Sequence, residues 1–167
     1  TDQGVYFYDI SGNRKTSPKQ QNRTYFYMDN PHGFYWDDVE KRLYISDTQG
    51  LHCCIWGYDG TTFTFEVERT WKIAELGLTY GHDLMLVPGT RTLAMSTYEQ
   101  VIFFDMDAKE WKKDMALWRG DAKAFDPHRD GVHFLVTVPK AGFDPSWTTD
   151  TIETYSTTEG FKTYLTL

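Results

Sequence analysis

One recurring spacing limits what this chain can fold into. The run His32-Gly-Phe-Tyr-Trp-Asp-Asp-Val-Glu-Lys-Arg-Leu43 aligns with His82-Asp-Leu-Met-Leu-Val-Pro-Gly-Thr-Arg-Thr-Leu93, and His and Leu are 11 residues apart in both. In a third copy Lys123 replaces the histidine and Phe134 replaces the leucine, again 11 apart. From 32 to 82 is 50 residues, and from 82 to 123 is 41. Units of roughly 40 to 50 residues built from four short strands are the sequence signature of β-propeller blades.

The stretches between these anchors read as strands. Val5 to Ile10, Thr24 to Met28, Gly33 to Trp36, Arg42 to Ser46 and His52 to Trp56 are rich in aromatic and β-branched residues and end at turn residues. Thr61-Thr-Phe-Thr-Phe-Glu-Val67 alternates polar and apolar residues, as a strand with one wet face does. The pattern restarts at Asp83 to Val87, Thr92 to Ser96 and Gln100 to Phe104. It restarts again at Ala122 to Phe125, Val132 to Val138, Thr151 to Tyr155 and Lys162 to Thr166. Asp107 to Met115 reads either as a short helix or as a hairpin turn entering a strand.

The expected architecture is therefore all-β: about three four-stranded antiparallel blades in a single domain over 1–167. Blades are placed at 32–73, 81–118 and 122–167, with strands of a preceding or partial blade at 1–30. A β-sandwich also uses many short antiparallel strands, but it does not require the repeated spacing. Propellers have roughly four to eight blades, so three imply a fragment or an incomplete ring. Open blade faces would then favour self-association. The chain opens on Thr1-Asp-Gln-Gly4 rather than Met, which suggests a trimmed start.

Composition excludes several functions. A net charge of −7 disfavours a nucleic-acid partner, which needs a basic stripe. Arg14, Lys15, Lys19 and Arg23 form a small cluster that reads as a solvated loop. No apolar run reaches the ~20 residues of a membrane span. Cys53 and Cys54 are adjacent, so on a strand they point to opposite faces and are read as one small buried residue on each. Gly-x-Ser-x-Gly, phosphate-loop and zinc-ligand spacings are absent. Asp37-Asp38 and Asp105-Met-Asp107 resemble calcium-loop fragments but read as hairpin turns. No cofactor and no metal site is called for.

Several of these motifs resemble a bacterial propeller-like family. They are Phe7-Tyr-Asp-Ile-Ser-Gly12, Pro31-His-Gly-Phe-Tyr-Trp-Asp37, Arg42-Leu-Tyr44, Gly81-His-Asp-Leu84 with Val87-Pro-Gly89, and Val101-Ile-Phe-Phe-Asp105. The likeness runs over roughly residues 5 to 138. The family has no assigned function, and its members are often exported and often come from carbohydrate-degrading bacteria. The resemblance therefore implies the fold and an exported location (periplasmic, cell-surface or extracellular), and it lends no catalytic residue. A fainter resemblance reaches the propeller lyases that cleave acidic oligosaccharides.

If the repeats superpose, His32, His82 and Lys123 stand at equivalent starts of inner strands and converge at one end of the channel. Two imidazoles and an ammonium would make an anion-attracting mouth on an acidic protein. Asp83 and Asp121 sit beside two of these positions, and Arg119 is near the third. Asp83 would orient a histidine or pair with Lys123. The expected ligand-binding set is His32, His82, Asp83, Lys123 and Arg119; catalytic residues are left unassigned. Trp36, Trp56, Trp111, Trp118 and Trp147 read mostly as packing residues, with Trp147 and its neighbour Phe143 the exposed exceptions. His128 reads as a solvated turn residue, and His133 faces away from Val132 and Phe134. Three functions remain open. One is non-catalytic recognition of a glycan or small anion at the channel mouth. Another is a lyase or hydrolase using a channel histidine. The third is a protein-interaction scaffold whose histidines make structural hydrogen bonds, as in WD-type propellers.

Overall fold

The structure is a computed structural model that describes residues 3–9, 23–117, 120–139, 149, 151–156 and 160–166; for 114–117 and 160–166 it describes the backbone. The described residues are all-β and form four antiparallel sheets. β1 (Gly4–Tyr8) pairs with β2 (Arg23–Tyr27). β3 (Gly33–Asp37), β4 (Arg42–Ser46), β5 (Gly50–Tyr58) and β6 (Phe63–Lys72) form a meander in chain order. β7 (Leu84–Leu86), β8 (Thr92–Ser96), β9 (Val101–Asp105) and β10 (Glu110–Leu117) form a second. β11 (Ala124–Pro127), β12 (His133–Thr137), β13 (Thr151–Ser156) and β14 (Gly160–Thr166) form a third. Residues Ile73–Leu76 make a single 3-10 turn that the strand pattern does not announce. No helix among the described residues is long and apolar enough to cross a membrane.

Aspartates shape the hairpins. The Oδ1 of Asp59 accepts from the N–H groups of Thr61 and Thr62, and that of Asp105 from Asp107 and Ala108. This local bonding is why such residues favour turns. The Asp107 to Met115 stretch is thus a turn entering β10, not a helix.

The sheets stack face to face in chain order. All five residues of β8 are buried, as are the first four of β9. Leu93, Met95, Ile102 and Phe104 pack against Tyr44, Leu51, Cys53 and Trp71 of the preceding sheet. Their neighbours Ala94, Val101 and Phe103 pack the other way, against Phe125, Phe134, Val136 and Tyr155 of the following sheet. Val5, Phe7 and Met28, from the first sheet and its edge, meet Ile45 and Cys54. Cys53 and Cys54 therefore do enter opposite interfaces, both as free thiols. Burial pushes the Cys54 thiol up to about 12, which holds it protonated and inert.

The repeat seen in the sequence is a repeat of backbone roles. The N–H of His32 donates to the Ser46 carbonyl at 2.9 Å, that of His82 to Ser96 at 2.9 Å, and that of Lys123 to Thr137 at 3.0 Å. Ser46 Oγ accepts from Gly33 N–H and Ser96 Oγ from Asp83 N–H. These bonds set the entry of each first strand.

The first strands are neighbours: β3 touches β7, and β7 touches β11. Gly33 makes the first approach possible. A Cβ there would stand 2.5 Å from Leu84 Cβ and 2.6 Å from Leu84 N. At the far end of the same strands Arg91 forms two hydrogen bonds to Asp37, at 2.6 and 2.9 Å, and one to Asp107 at 2.9 Å. Asp37 is only 1% exposed, and Arg91 holds its carboxyl below the ordinary range.

Two stability predictions follow from this packing. Gly33→Ala forces β3 and β7 apart and costs about 2 kcal/mol, read as a lower urea midpoint. Arg91→Ala strands a buried carboxylate and costs about 3 kcal/mol in the same measurement, more than Asp37→Ala, which leaves a half-solvated guanidinium still paired with Asp107.

Candidate functional site

The loops entering β3, β7 and β11 meet at one end of the stack. Gly33 follows His32, and Gly81 precedes His82. A Cβ at Gly81 would lie 2.3 Å from the Asp47 carbonyl oxygen. These two glycines let the backbones close until the imidazoles stack, with centroids 4.0 Å apart and planes at 18°. Lys123 and both histidines line one cavity of about 380 Å³. The structure thus brings together three of the residues singled out in the sequence.

The other two differ. Asp83 does not line the cavity, and its carboxylate neither orients a histidine nor pairs with Lys123 among the described contacts. Oδ1 accepts from Leu84 N–H at 3.0 Å and Oδ2 from Phe125 N–H at 3.1 Å. The oxygens are thus used to tie β7 to the start of β11. Arg119 lies outside the described residues, as do Arg14, Lys15, Lys19, Trp118, Phe143 and Trp147.

The imidazoles are held neutral. Burial comes first in lowering His32, and the Lys123 ammonium adds to it. His82 is pushed down to about 4 by burial, by His32 and by Lys123. Asn30 Nδ2 stands 2.9 Å from His32 Nε2. An amide nitrogen can only donate, so that ring nitrogen is the acceptor. His82 Nδ1 is buried with no hydrogen-bond partner. At neutral pH the cavity's positive charge therefore comes from Lys123, with Asp121 also in the lining. The anion attraction expected of two imidazoles and an ammonium therefore rests on the ammonium.

Two tyrosines complete the rim and were missed by the sequence reading. Tyr80 is 66% exposed and Tyr98 is 58% exposed, and their rings meet edge to face at 6.5 Å. Their loops are tied together: Tyr98 N–H donates to the Thr79 carbonyl, and Thr79 donates twice to Glu99. Tyr80 sits at φ +52°, an uncommon conformation for a bulky residue. Adjacency to Gly81-His82 was the available signal, but loop residues carry no period to betray where a ring points.

The structural histidine is His52. Its Nδ1 lies 2.9 Å from Thr70 Oγ1, and its Nε2 lies 2.8 Å from Asp47 Oδ2, off the angle of a hydrogen bond. Asp47 also accepts from the N–H groups of Gln49 and Gly50. Trp111 packs on the interface between the first two meanders, whereas Trp36 and Trp56 are each 38% exposed. A larger cavity of about 600 Å³ is lined by Glu40, Arg42, Glu68, Arg69 and Lys109, where Arg42 pairs with Glu68 and Lys109 with Glu40, and Arg69 lies over the Trp71 ring at 4.8 Å.

The depressed histidines make stability depend on pH. Below the ordinary value of 6.5 the unfolded chain takes up protons that the folded imidazoles refuse, so stability falls as pH drops from about 6.5 toward about 4. Half-solvated rings moderate the effect, which is expected to lower Tm by about 2–4 °C over that interval beyond the change seen in a His82→Asn variant. Thermal melts of the two proteins at matched pH values measure the difference.

No protein-family model matches the chain, and no curated protein matches it. Among solved structures it is similar to a chain from a crystal structure of the eukaryotic initiation factor, at 15% identity and a TM-score of 0.46. That match covers 87% of this chain and 38% of the other, and a likeness of this strength bears on neither architecture nor function.

Proposed function

We propose that the three meanders are blades of a β-propeller and that the protein recognises a glycan at the mouth of its channel, without catalysis. Support for the blades comes from three chain-ordered four-stranded sheets stacked face to face with their first strands adjacent. Further sheets would close the ring. The resemblance noted in the sequence adds an exported location to this reading.

One observation carries the ligand class. Two exposed tyrosine rings overhang a cavity lined by neutral imidazoles, an amide and one ammonium. Sugars offer C–H faces that pack on aromatic rings and hydroxyls that both donate and accept. Neutral imidazoles do the same, whereas a pair of imidazolium rings could only donate. At about 380 Å³ the cavity lies near the small end of the ~300–1,000 Å³ range of small-ligand sites, which suits one or two sugar units. Lys123 would favour a carboxylated sugar over a neutral one.

A second reading has one observation behind it. His82 is unprotonated at neutral pH, as the general base of an elimination must be, although with a pKa of about 4 it is a weaker base than an ordinary imidazole.

An array of neutral and uronic-acid oligosaccharides tests both readings. Binding is expected to fall at least tenfold in Tyr98→Ala and in His82→Ala, and Lys123→Ala should weaken acidic ligands selectively. Full binding by the Tyr98 and His82 variants would refute the recognition site. An ultraviolet assay for unsaturated products, present in the wild type and absent in His82→Gln, would replace recognition with the lyase reading.

A further inference from the structure

The hairpin joining β11 to β12 carries a second cluster, remote in sequence from the stacked histidines. The segment reads His128-Arg-Asp-Gly-Val-His133. His128 N–H donates to the His133 carbonyl at 2.8 Å, so the two histidines close the end of the ladder side by side. Gly131 takes φ +68° and donates to the His128 carbonyl at 2.9 Å. Asp130 Oδ1 accepts from the N–H groups of Val132 and His133, at 2.9 and 3.0 Å.

Up to this point the turn matches those built on Asp59 and Asp105, where a single carboxylate oxygen accepts from the two following N–H groups. The second oxygen sets it apart. Asp130 Oδ2 lies 2.6 Å from His133 Nδ1 and 3.1 Å from His128 Nδ1. One ligand atom from each of the three residues falls within 4.8 Å of the others, and all three side chains are exposed.

We propose that His128, Asp130 and His133 form a binding site for a transition-metal ion of the Zn²⁺ or Ni²⁺ class. Imidazole suits these ions, and a carboxylate adds the negative charge that two neutral rings lack. Bonds of about 2.0–2.2 Å from each ligand need only a small outward shift of the side chains from their present separations. The backbone is already fixed by the turn, so little order remains to be imposed on binding. Three protein ligands leave the ion's remaining positions to water. Magnesium and calcium, which prefer oxygen cages, have one carboxylate here and are not held.

Isothermal titration of the whole chain with Zn²⁺, Ni²⁺ and Ca²⁺ in turn tests this. Zn²⁺ and Ni²⁺ should saturate at one ion per chain and Ca²⁺ should show no binding. His128→Ala and His133→Ala should each weaken Zn²⁺ at least tenfold while melting as the wild type does without metal, because both positions are exposed. His82→Ala should leave Zn²⁺ affinity unchanged, which separates this site from the stacked pair. In a thermal melt Zn²⁺ should raise the Tm of the wild type and not of the double histidine variant. No Zn²⁺ binding by the folded protein, or equal affinity in the His128 and His133 variants, would overturn the assignment.

Discussion

A four-stranded meander cannot bury both of its faces by itself, and everything else in this chain answers to that constraint. The sheet β7–β10 shows the solution most clearly. Leu93, Met95, Ile102 and Phe104 go to one neighbour, and Ala94, Val101 and Phe103 to the other. Period-two alternation still operates, but both registers are apolar, so polarity no longer marks the faces. Burial of apolar surface on each side holds the stack together. It also forces the first strands of successive sheets into contact, because stacked sheets in chain order leave those strands on a common side.

That contact decides the chemistry at the cavity. Gly33 removes the atom that would keep β3 and β7 apart, and Gly81 lets its loop lie against the Asp47 carbonyl of the preceding sheet. The histidines beside them are then pressed ring to ring and lose water; Lys123 disfavours a positive charge on both, and His32 disfavours one on His82. Packing thus keeps the two imidazoles neutral and leaves Lys123 as the cation in the lining. A group's residue type set what chemistry was available, while the approach of two sheets set the protonation state.

The fold was readable in the sequence where local rules and repeats agreed. The equivalence of 32, 82 and 123 was visible because each position does the same backbone work, and side-chain identity at neighbouring positions repeats with it. Convergence on one cavity followed from that equivalence. The rest depended on contacts between residues far apart in the chain. Asp83 reads as a partner for a histidine or for Lys123 until β11 arrives to present the Phe125 N–H. Nothing near Arg91 in the sequence announces its partner Asp37, which stands 54 positions away. Tyr80 and Tyr98 have no pattern of their own, and only the meeting of their loops makes them a rim. His128 read as a solvated turn residue and His133 as a strand residue facing away from Val132 and Phe134, because the hairpin register that aligns them is a property of the turn, not of composition.

The two ends of the first strands differ in how their polar groups are met. At one end Arg91 satisfies a carboxylate that is almost wholly buried, and Asp37 and Asp107 are both engaged. At the other end His82 Nδ1 is buried without one, Tyr80 is held at a positive φ, and a cavity stays open between three loops. Polar groups left unsatisfied and backbone held in sparsely populated conformations weaken a fold unless something else uses them. The Arg91 end is not closed either, since the larger cavity lies among Glu40, Arg42 and Lys109, Lys41 and Lys109 take positive φ there, and Trp111 Nε1 is buried without a partner. What distinguishes the histidine end is that loops from three successive sheets bring two imidazoles and an ammonium around one cavity, and the proposed ligand is placed there for that reason.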